Sequence, residues 1–230
     1  MKKALLVLAA SLALGASAQS NLKWKVVGGM NISTMSFFDS KAGFHLGTKA
    51  QLDLPQVIDG MYVNAGALFS QKGAKLDMGD MGYEKINAYY LEIPIHVGYK
   101  YDINDNFSVF GEAGPYFAVG LGGKTKTEEL VYDNSSWNPE HFEKVRKETY
   151  EYDTFGNGGL KRFDLGLGIH AGVEFKKKFS LSIGYDWGLL NVAKNQNEGA
   201  DSDYPLEDGE IDVVTSIKNG NLSLTLGYTF

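Results

Sequence analysis

Five cations, five carboxylates and three histidines fall at positions that would bring them together if the segments carrying them are β-strands. Lys25, Lys49, Lys72, Lys100 and Arg162 are the cations, and Glu92, Glu112, Asp164, Glu174 and Asp186 the carboxylates. By the same two-residue parity, His45, His96 and His170 share their side. Such a set permits internal ion pairing, a paired-carboxylate acid–base site, a charged pore lining or a metal cluster. The metal option is poorly supported. His96 and His170 come from next-but-one strands, roughly 10 Å apart along a sheet, whereas zinc takes nitrogen ligands at about 2.0–2.1 Å. Hydrogen bonding and ion pairing within a narrow lumen is the expectation, with no metal and no cofactor.

Chemistry elsewhere in the chain has weaker support. A rim-located lipid-modifying enzyme needs a Ser and a His side by side, but no carboxylate pattern marks His141 as a base, and Ser135 and Ser136 read as ordinary loop residues. The acidic run Glu198, Asp201, Asp203, Glu207, Asp208, Glu210 and Asp212 faces Lys194 alone. Carboxylate oxygens suit Ca²⁺, yet the spacing lacks the Gly at position six and Glu at twelve of the helix-loop-helix calcium loop. A solvated loop is the simpler reading.

The elements that must position these residues alternate apolar and polar with period two, in eight segments. The clearest covers residues 86–101, where Tyr89, Leu91, Ile93, Ile95, Val97, Tyr99 and Tyr101 oppose Tyr90, Glu92, Pro94, His96, Gly98 and Lys100. Others cover 22–35, 41–52, 61–72, 107–121, 161–175, 179–190 and 213–230. Each is long enough to cross a bilayer as a tilted strand, for which roughly 9–11 residues suffice. A soluble sandwich alternates too. Two features favour the membrane: aromatics such as Trp24, Tyr99, Phe107, Phe175, Phe179 and Tyr228 collect near strand ends, and the face opposite the apolar one is rich in Gly and ionisable groups. The greasy face is then the outer one. Connections alternate between short (53–60, 102–106, 176–178) and long (near 37, 73–85, 122–160, 191–212), the asymmetry of short periplasmic turns and long extracellular loops. The expected fold is an all-β transmembrane antiparallel up-and-down barrel of eight strands.

Residues 1–18 read as a cleaved signal peptide, with Lys2 and Lys3, an apolar run and Ala16-Ser17-Ala18, so the barrel domain is expected over 19–230. No later run approaches the roughly 18 apolar residues of a membrane helix. The chain has 0 Cys, which removes disulfides, thiolate metal sites and an acylated N-terminal Cys. A net charge of −6 argues against nucleic acid as a partner. Within the third long loop, residues 124–132 and 148–155 alternate again and would extend strands five and six as a projecting hairpin, with Asn138-Pro139-Glu140 opening a short helix at its tip.

At these strands the chain resembles the PorT-like outer-membrane barrel family of Bacteroidetes. The residues that carry the likeness are Gly28-Gly29-Met30-Asn31, Tyr90-Leu91-Glu92-Ile93-Pro94, Gly114-Pro115-Tyr116-Phe117, Phe163-Asp164-Leu165-Gly166 with Gly168 and Gly172, and Gly188-Leu189-Leu190-Asn191. The resemblance implies an eight-stranded barrel inserted by the barrel-assembly machinery. Leu226, Tyr228 and Phe230 are similar to the terminal assembly signal, with Thr225 where its commonest form has Gly. The family is functionally mixed, its namesake being linked to secretion. The expected role is non-enzymatic, in surface interaction, envelope integrity or secretion support, with outer-membrane lipid and envelope or secretion proteins as partners. A narrow channel for small solutes is the alternative. Because the ten lumen charges balance, activity is expected on loops 122–160 and 191–212.

Overall fold

A strand that is apolar on one face and polar on the other can satisfy all its backbone groups in lipid only by pairing on both edges, which a closed ring achieves. The computed structural model, which describes residues 22–132, 145–156, 159–194 and 216–230, has that ring. Its strands are β1 (Leu22–Met35), β2 (Lys41–Asp53), β3 (Met61–Asp77), β4 (Gly82–Asp102), β5 (Phe107–Gly122), β6 (Lys124–Tyr132), β7 (Val145–Asp153), β8 (Phe163–Phe175), β9 (Phe179–Gly188) and β10 (Asn219–Thr229). Eight of them, β1-β2-β3-β4-β5-β8-β9-β10, pair antiparallel in sequence, and β10 returns to β1 from Lys25↔Thr229 to Met35↔Asn219. Beyond that register, Phe230 N–H donates to Trp24 O at 2.9 Å.

The parity read from sequence holds around the ring. Met30, Leu46, Val97, Ile169, Ile183 and Leu224 are exposed on the outer wall, while Asn31, His45, Asn64, His96, Glu112 and Asp186 are buried inside. Connections at one end are tight. Lys176 and Lys177 adopt φ of 51° and 56° in the β8–β9 turn, and Asn104 Oδ1 accepts from the N–H groups of Asn106 (2.9 Å) and Phe107 (3.0 Å) between β4 and β5. Long connections gather at the other end.

Two strands lie outside the ring. β4 has 21 residues, about twice the roughly 9–11 that cross a bilayer. Its projecting start, Gly82–Ile86, pairs with both β3 and β6, and β6 pairs with β7 from Lys124↔Asp153 to Tyr132↔Val145. β6 thus continues β5 along β4 in one register, Tyr89↔Gly122 leading on to Ile86↔Thr125, and β7 lies beside β6 as β8 lies beside β5, so the hairpin extends that pair as the sequence suggests. Between β5 and β6, at Gly123, the backbone passes so close to Asn87 O that a side chain would collide. Lys124 Nζ bonds Asp153 Oδ1 at 2.9 Å across the fin and holds that carboxyl below its ordinary pKa. The expected tip helix falls in 133–144, outside the described residues.

Candidate functional site

Side chains of a narrow barrel converge on its axis, so charges placed by strand parity meet there. Nearest the short-turn end, Glu174 takes Lys100 at 2.6 Å and Lys25 at 3.6 Å. The next layer centres on Glu112, which accepts from Lys49 (2.9 Å), Tyr62 Oη (3.0 Å) and Asn64 Nδ2 (2.5 Å), with His96 Nδ1 at 3.3 Å. Beside it, His170 Nε2 lies 3.0 Å from Asp186 Oδ1, and Asn221 donates to the other Asp186 oxygen at 3.2 Å. Further along, Lys72 pairs with Glu92 at 2.5 Å, its ammonium 4.7 Å from the centroid of the Tyr116 ring. Asp164 is fully buried and accepts from Asn219 (2.8 Å) and Tyr116 (3.2 Å), with no cation among the described residues in its shell.

Four sequence-selected cations and the five carboxylates therefore line the lumen, but Arg162 does not. It sits ahead of β8 at the long-loop rim, exposed, where its guanidinium donates to Gly120 O at 2.8 Å and lies 5.3 Å from the Phe155 ring. Parity misassigned it because β8 begins only at Phe163. The histidines also depart from expectation: His96 and His170 have ring centroids 4.9 Å apart, while His45 bonds Thr225 Oγ1 at 2.9 Å. Bulky inward side chains are admitted by inward glycines, since a Cβ at Gly98 would overlap the Tyr62 ring and one at Gly184 the His170 ring.

An apolar lid closes the long-loop mouth. Phe155, Leu160 and Val192, from the connections after β7 and β9, pack into the ring on Tyr90, Tyr116, Ala88 and Met35. Phe155 meets Tyr90 edge-on, centroids 5.5 Å apart at 87°. Lys161 N–H donates to Val192 O at 2.7 Å and Lys194 Nζ to Gly156 O at 2.8 Å, stitching the two connections together, and within the second Asn191 Oδ1 accepts from Ile217 N–H at 2.9 Å. At the opposite end a cavity of about 400 Å³ stays open, lined by Lys23, Asp53, Tyr62, Lys100 and Glu174 among others.

Parity turns Asn31, Asn64, Asn219 and Asn221 inward, but the sequence did not reveal them as hydrogen-bond partners of the lumen groups. Sequence reasoning also missed the lid: Phe155 ends an alternating segment read as part of the projecting hairpin, and Leu160 and Val192 lie in connections where no periodicity marks them. His141, Ser135, Ser136 and the acidic run from Glu198 to Asp212 lie outside the described residues.

Among solved structures the chain is similar to Ail, the attachment invasion locus protein of Yersinia pestis, at 15% identity over 91% of this chain and 97% of that one, with a TM-score of 0.38. Neisserial surface protein A is similar at 11% identity over 92% and 98%, with a TM-score of 0.43. The N-terminal barrel domain of Pseudomonas aeruginosa OprF gives 11% over 91% and 98%, with a TM-score of 0.32. Comparison with the curated proteins gives no match. The family model described as "Outer membrane protein beta-barrel domain" matches residues 11–194. The closed antiparallel ring, its apolar outer wall and this match together say that the chain belongs to the outer membrane protein beta-barrel family and resides in the outer membrane.

Proposed function

We propose that this barrel is a non-enzymatic surface-interaction protein, plugged rather than conducting, that offers the free edge of its extracellular fin to an extended segment of another protein. The pairing of β7 carries the reading: it bonds β6 along one side and has no strand on the other among the described residues. An unpaired row of N–H and C=O groups is a template for an added strand, main-chain bonds supplying affinity and alternate side chains selectivity. Arg146, Lys147, Glu148, Glu151 and Asp153 line this edge strand, and a mixture of signs opposes indiscriminate pairing while leaving a complementary strand acceptable. The filled lumen and the lid support an anchor rather than a conduit.

The PorT-like residues Gly28–Asn31 and Tyr90–Pro94 support a secretion or envelope component as the docked protein. Residues 1–18 as export signal, and Leu226, Tyr228 and Phe230 as the segment read by the barrel-assembly machinery, belong to the same reading. All three of those terminal side chains are exposed on the lipid side, where Tyr228 packs 5.2 Å from Phe179 and 5.3 Å from Phe230. The test is a photo-crosslinking residue at Thr149 in intact cells, with Lys178 in the periplasmic turn as control. Protein adducts specific to Thr149, lost when 124–153 is replaced by a short turn, are expected. Identical adducts from both positions, or none from Thr149, would remove the reading.

A further inference from the structure

Two hollows near the periplasmic rim meet at shared residues. One is the polar cavity of about 400 Å³. The other is an apolar groove of about 450 Å³ on the outer wall, lined by Ile58, Val97, Gly111, Ala113, Ile169 and Ala171. Met61 and Tyr99 line both, so the groove opens into the cavity at the rim.

The groove follows from register. Tyr99 pairs with Gly111 and Gly111 with Ala171, while Val97 pairs with Ala113 and Ala113 with Ile169. Small outward residues thus sit side by side on β5 and β8 and leave a trough between the larger side chains of β4 and β8. Ile58, from the β2–β3 connection, lines its periplasmic end. Because this wall faces the bilayer, what enters the trough is hydrocarbon.

The cavity has a different chemistry, holding both signs of charge within one small volume. Lys23 pairs with Asp53 at 2.6 Å, and Lys177 lies 3.6 Å from Asp102, a loose exposed pair. Asp59 lines the same cavity and has no ion pair among the described residues. Cations that can turn toward a phosphate stand beside carboxylates that can accept from an ammonium, the complement of a zwitterionic headgroup. Tyr99 stands at the junction, and Tyr101 beside it on the cavity, with the exposed apolar bodies and polar tips suited to the interface.

We propose that the barrel holds one phospholipid of the periplasmic leaflet at a fixed site, a phosphoethanolamine-type headgroup in the rim cavity and an acyl chain in the groove beside it. The inference rests on the outer-membrane location and is independent of the β7 edge, so either can fail without the other.

Native mass spectrometry of the full barrel in detergent micelles tests it, with phosphatidylethanolamine and phosphatidylglycerol supplied in equal amounts. The wild type should retain one phosphatidylethanolamine under conditions that strip bulk lipid. Ala113→Phe with Ala171→Phe, both facing lipid, should cut that retention at least tenfold while the heat-dependent gel shift reports a folded barrel. Lys23→Glu with Lys177→Glu, on the solvent side and separate from the groove, should abolish headgroup preference even if the groove variant fails to assemble. Undiminished phosphatidylethanolamine retention by the groove variant, an unchanged headgroup preference in the charge variant, or equal retention of the two lipids by the wild type overturns the proposal. So does soluble phosphoethanolamine displacing the lipid at equal concentration, since the acyl groove would then contribute nothing.

Discussion

The imidazoles of His96 and His170 stand with centroids 4.9 Å apart and planes at 42°, although β5 separates the strands that carry them. Distance along a flat sheet overstates separation in a small barrel, because curvature aims next-but-one inward side chains at the same axis. Glu112 at 3.3 Å and Asp186 at 3.0 Å then orient the two rings.

The space for His170 depends on the absence of a side chain opposite it. A Cβ at Gly184 would overlap its ring. Gly184→Val should therefore destabilise the folded barrel by about 1–3 kcal/mol, the usual cost of overpacking. A lowered urea midpoint for refolded protein in micelles, read by the heat-dependent gel shift, is the expected result.

Glu112 is the most connected lumen carboxylate among the described residues, and its loss strands Lys49, Tyr62 and Asn64 at once. Removing one member of a buried pair costs about 3–5 kcal/mol because the other charge is left uncompensated. Glu112→Ala should lower the same midpoint by that order, and Lys49→Met combined with Glu112→Gln should recover part of it. A double variant no more stable than Glu112→Ala would argue that the packing of Glu112, rather than its charge, matters.

Phe155 covers the extracellular mouth, but the Lys72–Glu92 pair lies beneath it. In planar bilayers neither the wild type nor Phe155→Ala should give steady conductance steps. Steps from the wild type would show that the lumen conducts.

Arg146 and Lys147 begin β7 and are exposed on the fin. Trypsin added to intact cells should cleave there and leave the barrel embedded. Complete protection of both sites would contradict an extracellular fin.

Arg162 stands apart from the lumen charges, exposed over Phe155. Arg162→Ala should change stability by less than about 1 kcal/mol, in contrast to Glu112→Ala, because a solvent-screened contact contributes little. A loss as large as that of Glu112→Ala would place Arg162 in the lid's structural core.

Strand count, the lipid-facing residues and the short-turn end were legible in the chain itself. Alternation is a local property, and membrane crossing demands it in every strand, so Ile93, Ile95 and Val97 declare their face without knowledge of any neighbour. The inward set could be named for the same reason, from Lys25 to Asp186. Arg162 was the exception because it lies just before β8, where alternation no longer assigns a face. Pairing was beyond the sequence's reach. Which carboxylate takes Lys72, how close His96 comes to His170, and that Asp164 takes Asn219 instead of a cation all depend on curvature and stagger, properties of the closed ring. The lid and the rim sites are of that kind too. Phe155 and Val192 are 37 positions apart in separate connections, and Met61 meets Tyr99 only through the register of β3 on β4. Local pattern decided which side chains face lipid; only tertiary closure decided what those turned inward or gathered at the rims would touch.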